Sequence, residues 1–248
     1  MTLLDRWYIA LKRLILASRF PSRLLDPVTQ LLKMGEFVRA GNLRGSIRAA
    51  GRYQLYARIH GDLPAGSPID YLEFGVFQGA SIRWWVEANR HPESRFYGFD
   101  TFEGLPEAWR QNATHALPAG HFSTRGVPPD IDDSRVQWVK GMFQDTLEGF
   151  AATYRPRNRL IVHLDADLYS STLFALAAMN RFLAPGTILI FDEFDSVTGE
   201  FRALCDYAAS FRKKFAALGH CGEFYEQVAF VVVESVQWQH GRSASHAR

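Results

Sequence analysis

The sequence predicts an α/β protein with a doubly wound, mostly parallel sheet and an antiparallel strand at the sheet edge. From residue 69 onward, short apolar segments alternate with amphipathic segments long enough to be helices. This alternation is typical of a parallel sheet with crossover helices. Two of the apolar segments run directly into acidic residues. Residues 1–66 have mainly helical patterns, so we expect them to form an extension in front of the sheet.

The predicted elements follow one another in a regular order. We expect an N-terminal helical extension at residues 1–66 and a sheet domain at residues 67–248, because Gly, Asp and Pro punctuate the chain from Gly61 to Pro68. The apolar segments predict strands at 69–74, 95–100, 136–140, 159–164 and 187–192. Helical periodicity predicts helices at 79–90, 144–153, 171–183 and 200–217. Residues 223–225 and 229–234 have no helix between them, which predicts an antiparallel hairpin at the sheet edge.

Residues 107–134 interrupt this order. The segment is rich in Pro and Gly and has little periodicity. An insertion of this length in a compact domain is usually a lid or a disordered loop. We expect a lid, with Trp109 at its start as a candidate substrate contact.

Composition limits the possible classes of protein. A hydrophobic fraction of 47% over 248 residues is enough for the core of one large domain. The only two cysteines, Cys205 and Cys221, lack metal-binding spacing, so we expect no disulfide framework or zinc site and a reducing cytoplasmic location. Lys12 and Arg13 interrupt the N-terminal apolar run, which argues against a signal peptide or a membrane span.

Charge is distributed unevenly along the chain. Residues 1–60 contain 11 Lys or Arg against three acids, although the net charge of the whole chain is only +2. A basic segment can contact nucleic acid or an anionic membrane, but it is more often a solvated helix face or a subunit contact. We therefore predict a homo-oligomer formed through the N-terminal helices, with no nucleic-acid partner and no stable membrane insertion.

Acidic residues follow two of the predicted strands. Asp165 and Asp167 follow the segment ending at Leu164, and Asp192 and Glu193 follow Phe191. The carboxyl ends of parallel strands meet at one edge of the sheet, where open α/β proteins bind ligands. Crowded carboxylates repel one another unless a cation or a shared proton compensates them, and divalent cations prefer oxygen ligands. The sequence therefore indicates a metal site at this edge, although Asp165 and Asp192 as helix caps would be a purely structural alternative.

A glycine-containing turn follows the first predicted strand. Glu73 precedes Gly75 and Gly79, and Asp100 closes the next strand, where doubly wound folds place an acid against ribose hydroxyls. A dinucleotide would require a second glycine near Phe77 and would place a diphosphate beside an acid. S-adenosylmethionine has no phosphate and carries positive charge, so we favour it over NAD.

Several motifs in order resemble the macrocin O-methyltransferase family, whose members are Rossmann-like class I methyltransferases that act on sugar hydroxyls. The resemblance covers roughly residues 69–200 and rests on five motifs. They are Glu73-x-Gly75-Val76-x-x-Gly79, Asp100 to Pro106, Gly141 to Leu147, Leu164 to Thr172 and Asp192-Glu193. With the residues of the turn, the match implies an S-adenosylmethionine site formed by Glu73, Gly75, Val76, Gly79, Ser81, Asp100, Thr101, Phe102, Phe143 and Asp165.

The resemblance also implies a magnesium ion and a general base. The family's metal ligands correspond to Asp165, Asp192 and Glu193, although the family usually has Asp at the last of these positions. Asp167 corresponds to a proposed general base, so Asp165 and Asp167 are the implied catalytic residues. Leu168 stands where related metal-dependent methyltransferases often have a Lys or His base, which favours Asp167 for that role. A purely structural role for Asp167 stays open.

Three alternatives to a sugar O-methyltransferase remain at this stage. The same site could act on a phenolic or catechol-like hydroxyl, or the chain could bind S-adenosylmethionine without turnover. The basic N-terminal segment suggests a nucleic-acid methyltransferase as the third alternative. Against it, Asp165 to Tyr169 differ from the Asn/Asp-Pro-Pro-Tyr type of turn that acts on flipped bases.

Overall fold

The computed structural model describes residues 2–18, 25–43, 45–110 and 115–234. Within these residues the α-helices are α1 Leu3–Ala17, α2 Asp26–Arg39, α3 Arg52–Gly61, α4 Ala80–Ala88, α5 Phe143–Thr153, α6 Tyr169–Met179 and α7 Glu200–Phe211. The strands are β1 Ile47–Arg48, β2 Ile69–Phe74, β3 Arg95–Asp100, β4 Trp109–Arg110, β5 Ala116–Leu117, β6 Val136–Lys140, β7 Arg159–Leu164, β8 Ile188–Phe191, β9 Lys214–Cys221 and β10 Gln227–Val233. Short 3₁₀ helices occur at Asn180–Phe182 and Glu223–Tyr225.

Eight strands form one sheet in the order β1-β9-β10-β8-β7-β2-β3-β6. β10 is antiparallel to both of its neighbours, and the other pairs are parallel. Only residues 222–226 join β9 to β10, which is too short for a parallel crossover and forces a hairpin. The predicted doubly wound, mostly parallel α/β fold is confirmed, including all five predicted strands to within one residue.

Three predicted details at the end of the sheet are wrong. Residues 214–217 belong to β9 and not to a helix, since α7 ends where Arg212 adopts a left-handed φ of 53°. Residues 223–225 form a 3₁₀ helix in the hairpin loop and not a strand. The edge strand is β1, which comes from the N-terminal extension and pairs in parallel with β9. Such a two-residue strand is too short to have a readable pattern of its own.

Helices cover both faces of the sheet. Alternate residues of a strand point to opposite faces, and β2 accordingly places Leu72 and Phe74 in one apolar cluster and Ile69 and Tyr71 in the other. The first cluster includes residues of α2, α5, α6 and α7, and the second includes residues of α3 and α4. Both faces are therefore buried, and the ends of the strands remain as the places where a polar ligand can reach the sheet.

The N-terminal helices differ in how they are packed. α3 contributes buried side chains, whereas Trp7, Leu14 and Leu16 of α1 are 72%, 69% and 84% exposed. Within the described residues no helix is both long and apolar enough to cross a membrane. Their predicted role in forming a homo-oligomer, and the division of the chain at residue 66, stay predictions.

Candidate active site

A cavity of about 260 Å³ lies at the carboxyl ends of β2, β3 and β7. β2 is central here because the chain continues from it to β3 on one side, while β7 lies on its other side. Such a switch point is where doubly wound sheets bind ligands. The residues that line the cavity include Arg52, Gly75, Val76, Asp100, Thr101, Phe143, Asp165, Asp167, Asp192 and Glu193.

The turn after β2 requires glycine at two positions. Gly75 has a φ of 89°, and a Cβ there would overlap the backbone carbonyl of Asp165. Gly79 has a φ of 75°, immediately precedes α4, and leaves a Cβ only 2.9 Å from Pro129. Both conformations are unfavourable for other residues. Gly75 therefore allows the turn to lie directly against the loop that carries Asp165, and Gly79 allows it to lie against Pro129.

Asp100 holds the two loops on the cofactor side of the cavity together. Its Oδ2 accepts hydrogen bonds from the backbone amides of Val76 at 2.8 Å and Phe77 at 2.9 Å, and its Oδ1 accepts one from Phe102 at 2.7 Å. A carboxylate oxygen has more than one acceptor direction. Asp100 can therefore organise the loops and still accept a ligand hydroxyl, and its predicted contact with ribose stays a prediction.

The predicted cofactor residues fall into two groups. Gly75, Val76, Asp100, Thr101, Phe143 and Asp165 line the cavity. Glu73, Gly79, Ser81 and Phe102 are buried and do not line it. Glu73 Oε2 accepts a hydrogen bond from the Tyr71 hydroxyl at 3.0 Å, and Ser81 Oγ lies 3.3 Å from the Tyr56 hydroxyl. These buried side chains support the wall, and their direct contact with a cofactor stays a prediction.

The predicted metal ligands meet at one end of the sheet. Asp165 and Asp192 have ligand atoms within 4.8 Å of each other and of a nitrogen of His163. Glu193 lines the same cavity but lies outside this tight group. His163 is fully buried, as its place in an apolar strand indicates, and its ring supports the acids from below. The structure therefore brings the predicted acids together and adds a histidine that the sequence marked only as buried.

Asp192 is the best-compensated acid of this group. Its Oδ1 accepts a hydrogen bond from Gln227 Nε2 and lies 3.4 Å from His163 Nε2, while its Oδ2 pairs with Arg52 Nη2 at 3.2 Å. Burial alone would raise the pKa of Asp192. The His163 ring, the Arg52 guanidinium and the Gln227 amide outweigh burial and keep that pKa below its usual value.

Asp165, Asp167 and Glu193 have no comparable side-chain partner among the described residues. Burial, and then repulsion from Asp192, raises the pKa of Asp165 well above its usual range. The same two causes raise the pKa of Asp167 to about 7 and that of Glu193 to about 8. Perturbed carboxyl groups in a cavity are typical of functional sites. Asp167 also has a φ of 58°, a backbone strain that is often retained where a side chain must be aimed at a ligand.

A buried polar network lies beneath the acids. The Tyr56 hydroxyl accepts a hydrogen bond from Gln227 Nε2 at 3.1 Å, and the Tyr71 hydroxyl lies 2.7 Å from His163 Nδ1. Glu200, at the start of α7, accepts a hydrogen bond from the Glu193 backbone amide at 3.0 Å. Sequence reasoning did not identify Arg52, Tyr56, Gln227 or Glu200 as part of the site, because these residues come from distant elements and carry no motif.

A second cavity of about 210 Å³ adjoins the first at Asp167. Its walls combine carboxylates, hydroxyls and one indole, from Glu107, Trp109, Tyr169, Ser170, Ser196 and Thr198. Ser196 is buried, and its hydroxyl has no hydrogen-bond partner among the described residues. Part of the predicted lid borders both cavities, since Trp109 lines the second and Phe122 lines the first. Residues 111–114 of that segment lie outside the described residues, and its action as a lid stays a prediction.

The residues at the carboxyl edge fit a divalent cation. Asp165 and Asp192 place carboxylate oxygens within 4.8 Å of each other and of a His163 nitrogen, and Glu200 has one buried oxygen without a hydrogen-bond partner in the described part of the chain. Among the residues that line the first cavity, Arg52 is the one Lys or Arg. Oxygen-rich, under-compensated groups of this kind are what hard divalent ions bind. The donor set therefore supports the predicted ion.

Fold and site together define a class I methyltransferase architecture, and sequence comparison agrees. The sequence profile of the macrocin O-methyltransferase family matches residues 53–218. The chain belongs to the macrocin O-methyltransferase family, as its motifs predicted. A curated relative from Streptomyces olivaceus, 8-demethyl-8-(2,3-dimethoxy-alpha-L-rhamnosyl)-tetracenomycin-C 4'-O-methyltransferase, is 31% identical over 149 residues, which are 53% of this chain and 55% of the relative. The chain thus spans about half the length of this relative.

Solved structures agree on the fold. The O-methyltransferase NovP is 20% identical, with a TM-score of 0.53 over 73% of this chain and 78% of that chain. The calicheamicin methyltransferase CalS11 is 21% identical, with a TM-score of 0.54 over 90% of each chain. At these identities the likeness establishes the architecture, and function has to be argued from the site.

Proposed function

We propose that this protein transfers a methyl group from S-adenosylmethionine to a hydroxyl of a sugar or a glycosylated small molecule, assisted by a divalent cation, most simply Mg²⁺. One observation carries the proposal. Asp165, Asp167, Asp192 and Glu193 converge on a cavity whose other wall is the glycine turn at Gly75. The relative from Streptomyces olivaceus is named for methylation of a rhamnosyl compound, which favours a sugar-containing acceptor.

The cofactor side of the cavity suits a cationic ligand. Asp100 and Asp165 line it together with the turn at Gly75. A dinucleotide would bring two phosphates into this acidic environment, whereas S-adenosylmethionine brings a sulfonium and an ammonium group. Phe143 lines the same region and provides an apolar surface for an aromatic base. The site therefore favours the methyl donor over NAD.

Asp165, Asp192 and Glu193 are the residues that would hold the cation. When bound, a divalent ion acts as a Lewis acid that lowers the pKa of an acceptor hydroxyl. Asp167 is placed to accept the proton, because it lies between the two cavities and its pKa of about 7 suits a base near neutral pH. S-adenosylmethionine would supply the methyl carbon, whose bond to sulfur would break as its bond to the acceptor oxygen forms, with S-adenosylhomocysteine as the leaving group.

The second cavity supports a polar acceptor. It joins the first at Asp167, where the reacting hydroxyl would lie, and its hydroxyl and carboxylate groups suit a ring with several hydroxyls. Trp109 is only 4% exposed and packs with Leu105 and Leu168. It therefore offers a substrate only the edge of its ring and not an open aromatic face. A phenolic or catechol-like acceptor is the second candidate, favoured by the aromatic side chains of Phe77 and Phe122 beside the first cavity.

Methyl uptake from labelled S-adenosylmethionine by glycosides, nucleotide sugars and phenols tests the proposal. We expect transfer to a sugar hydroxyl that chelation abolishes and Mg²⁺ restores. Asp165→Asn should reduce transfer by more than about 100-fold, and the exposed Asp62→Asn should leave it unchanged. Transfer only to phenols would establish the second candidate. Tight S-adenosylmethionine binding without transfer to any acceptor would favour a binding protein, and full activity in excess chelator would remove the ion from the proposal.

We also propose a cellular location and an oligomeric state for this protein. Cys205 and Cys221 are free thiols, which supports a reducing, cytoplasmic location. The exposed apolar side chains of α1, including Trp7 and Leu14, support a homo-oligomer formed through the N-terminal helices. Size-exclusion chromatography with light scattering, on the full chain and on a Trp7→Ser/Leu14→Ser variant, tests this association.

A further inference from the structure

Charge in the first cavity is strongly unbalanced. Five acids line it, namely Asp100, Asp165, Asp167, Asp192 and Glu193, and Arg52 is the one Arg or Lys of the described residues that lines it. Arg52 is the first residue of α3 and lies outside every motif that points to the methyl donor or to the cation. Its role therefore has to be derived from its contacts.

Arg52 pairs with one of the two carboxylate oxygens of Asp192. Its Nη2 lies 3.2 Å from Oδ2, whereas Oδ1 already contacts Gln227 and His163. The Asp192 side chain is only 3% exposed, but that of Arg52 is 42% exposed. The guanidinium therefore reaches a buried acid from the solvent side and can return to water without unfolding any element.

We propose that Arg52 is a built-in counter-charge that occupies Asp192 Oδ2 in the ion-free protein and competes with the divalent cation for that oxygen. The inference rests on the proposed function, because it assumes that the ion binds to Asp192. Oδ1 is already engaged in the buried network, so Oδ2 is the oxygen left for an ion. A guanidinium and a divalent cation on the same oxygen repel each other strongly.

This competition affects how tightly the divalent ion binds. In the ion-free protein Arg52 relieves part of the repulsion among the acids, and ion binding must first displace it. Arg52 therefore lowers the apparent affinity for the ion while it protects the empty site. Its position at the start of α3 also means that ion binding would release the amino end of this helix from Asp192.

Calorimetric titration of Mg²⁺ into protein saturated with S-adenosylhomocysteine tests the proposal. Arg52→Gln removes the charge at Asp192, and we expect it to lower the dissociation constant of Mg²⁺ by about tenfold. Arg58→Gln is the matched control, since Arg58 lies on the same helix and pairs with the exposed Asp62 at 3.3 Å, outside the cavity. Its dissociation constant should stay within about twofold of the wild-type value. Arg52→Lys retains the charge and should stay close to wild type.

An unchanged or larger dissociation constant in Arg52→Gln would overturn the proposal, the larger value meaning that Arg52 orients Asp192 for the ion. A tenfold decrease in both glutamine variants would also overturn it, because the effect would then be one of net charge. If neither wild type nor Arg52→Gln binds Mg²⁺, the ion site and the role of Arg52 fail together. Methyl transfer, assayed on the same preparations, reports separately on the proposed function.

Discussion

The two ends of β2 differ in how far the protein compensates the negative charge of nearby carboxylates. At the amino end, Asp70 is fully buried and each of its oxygens is hydrogen-bonded. Its partners are the Arg95 guanidinium, the Tyr154 hydroxyl at 2.9 Å, the Arg157 backbone amide at 3.0 Å and the Asn158 side chain at 2.9 Å. These permanent partners come from β3 and from the segment after α5. Asp70 therefore links β2 to β3 and to the segment after α5.

At the carboxyl end the acids outnumber their partners. Asp192 has the support of Arg52, His163 and Gln227, but the pKa values of Asp165, Asp167 and Glu193 are all raised. Burying a charge is costly unless it is paired. At the amino end, groups of the protein itself compensate the buried charge of Asp70. At the carboxyl end, much of the negative charge has no partner in the protein and can be compensated by a bound ligand. The contrast separates a structural acid from a functional one more clearly than burial alone.

The largest effect that this comparison predicts is on catalysis. Asp167→Asn keeps the shape of the side chain but removes its basicity, so kcat should fall by about 10²–10⁴-fold, the usual contribution of a general base. Affinity for S-adenosylmethionine and for Mg²⁺ should change little. The measurement is steady-state kinetics combined with calorimetry. Loss of ion binding would make Asp167 a ligand, and normal turnover would make it structural.

At the amino end the same kind of substitution should act on stability. Asp70→Asn leaves Arg95, whose side chain is 20% exposed, without its counter-charge. We expect the free energy of unfolding to fall by about 3 kcal/mol, while methyl transfer per folded molecule stays near the wild-type value. Urea denaturation and an activity assay well below the midpoint test this pair of outcomes. A stable but inactive variant would show that the two ends are not functionally separate.

A smaller effect should appear in the pH dependence of stability. The pKa of Asp167 is about 7 and that of Glu193 about 8 in the folded, ion-free protein, whereas both are near 4 in an unfolded chain. A raised pKa means that stability is greatest at low pH and is lost as pH rises through the folded value. In chelator, the free energy of unfolding should therefore decrease from pH 5.5 to pH 8.5.

We expect that decrease to be roughly 2 kcal/mol, because water screens the partly exposed Glu193. Asp167→Asn should flatten the dependence, and the exposed Asp62→Asn should not. Saturating Mg²⁺ should reduce it as well, since the cation stabilises the ionised acids. Stability that rises with pH in chelator would contradict the raised pKa values.

The sequence predicted the strands and the positions of the acids at the carboxyl end, but it did not predict the partners of those acids. The strands ending at Phe74, Asp100 and Leu164 were placed correctly, because buried parallel strands are short apolar runs bounded by turns. That rule also placed Asp165 and Asp192 at one edge. The end of α7 was missed, because Phe215, Ala216 and Ala217 are apolar residues that fit a helix or a strand equally well.

The partners of the acids could not be predicted. Arg52 and Gln227 reach Asp192 from α3 and β10, and Tyr56 of α3 contacts Gln227. Contacts between residues so far apart in sequence depend on how the helices pack on the sheet. Asp70 likewise had no sequence signal, because its partners Arg95 and Asn158 belong to different elements. Local patterns place side chains at an edge, and tertiary packing decides which of them are compensated.

The central claim is that the acids at the carboxyl end of the sheet bind a divalent cation and that the fully buried Asp70 does not. Titration of Mn²⁺ into S-adenosylhomocysteine-loaded protein, followed by electron paramagnetic resonance, tests it directly on wild type, Asp165→Asn and Asp70→Asn. We predict one tightly bound ion in wild type and in Asp70→Asn, and its loss in Asp165→Asn. Equal binding by wild type and Asp165→Asn, or no bound ion in wild type, would contradict the claim.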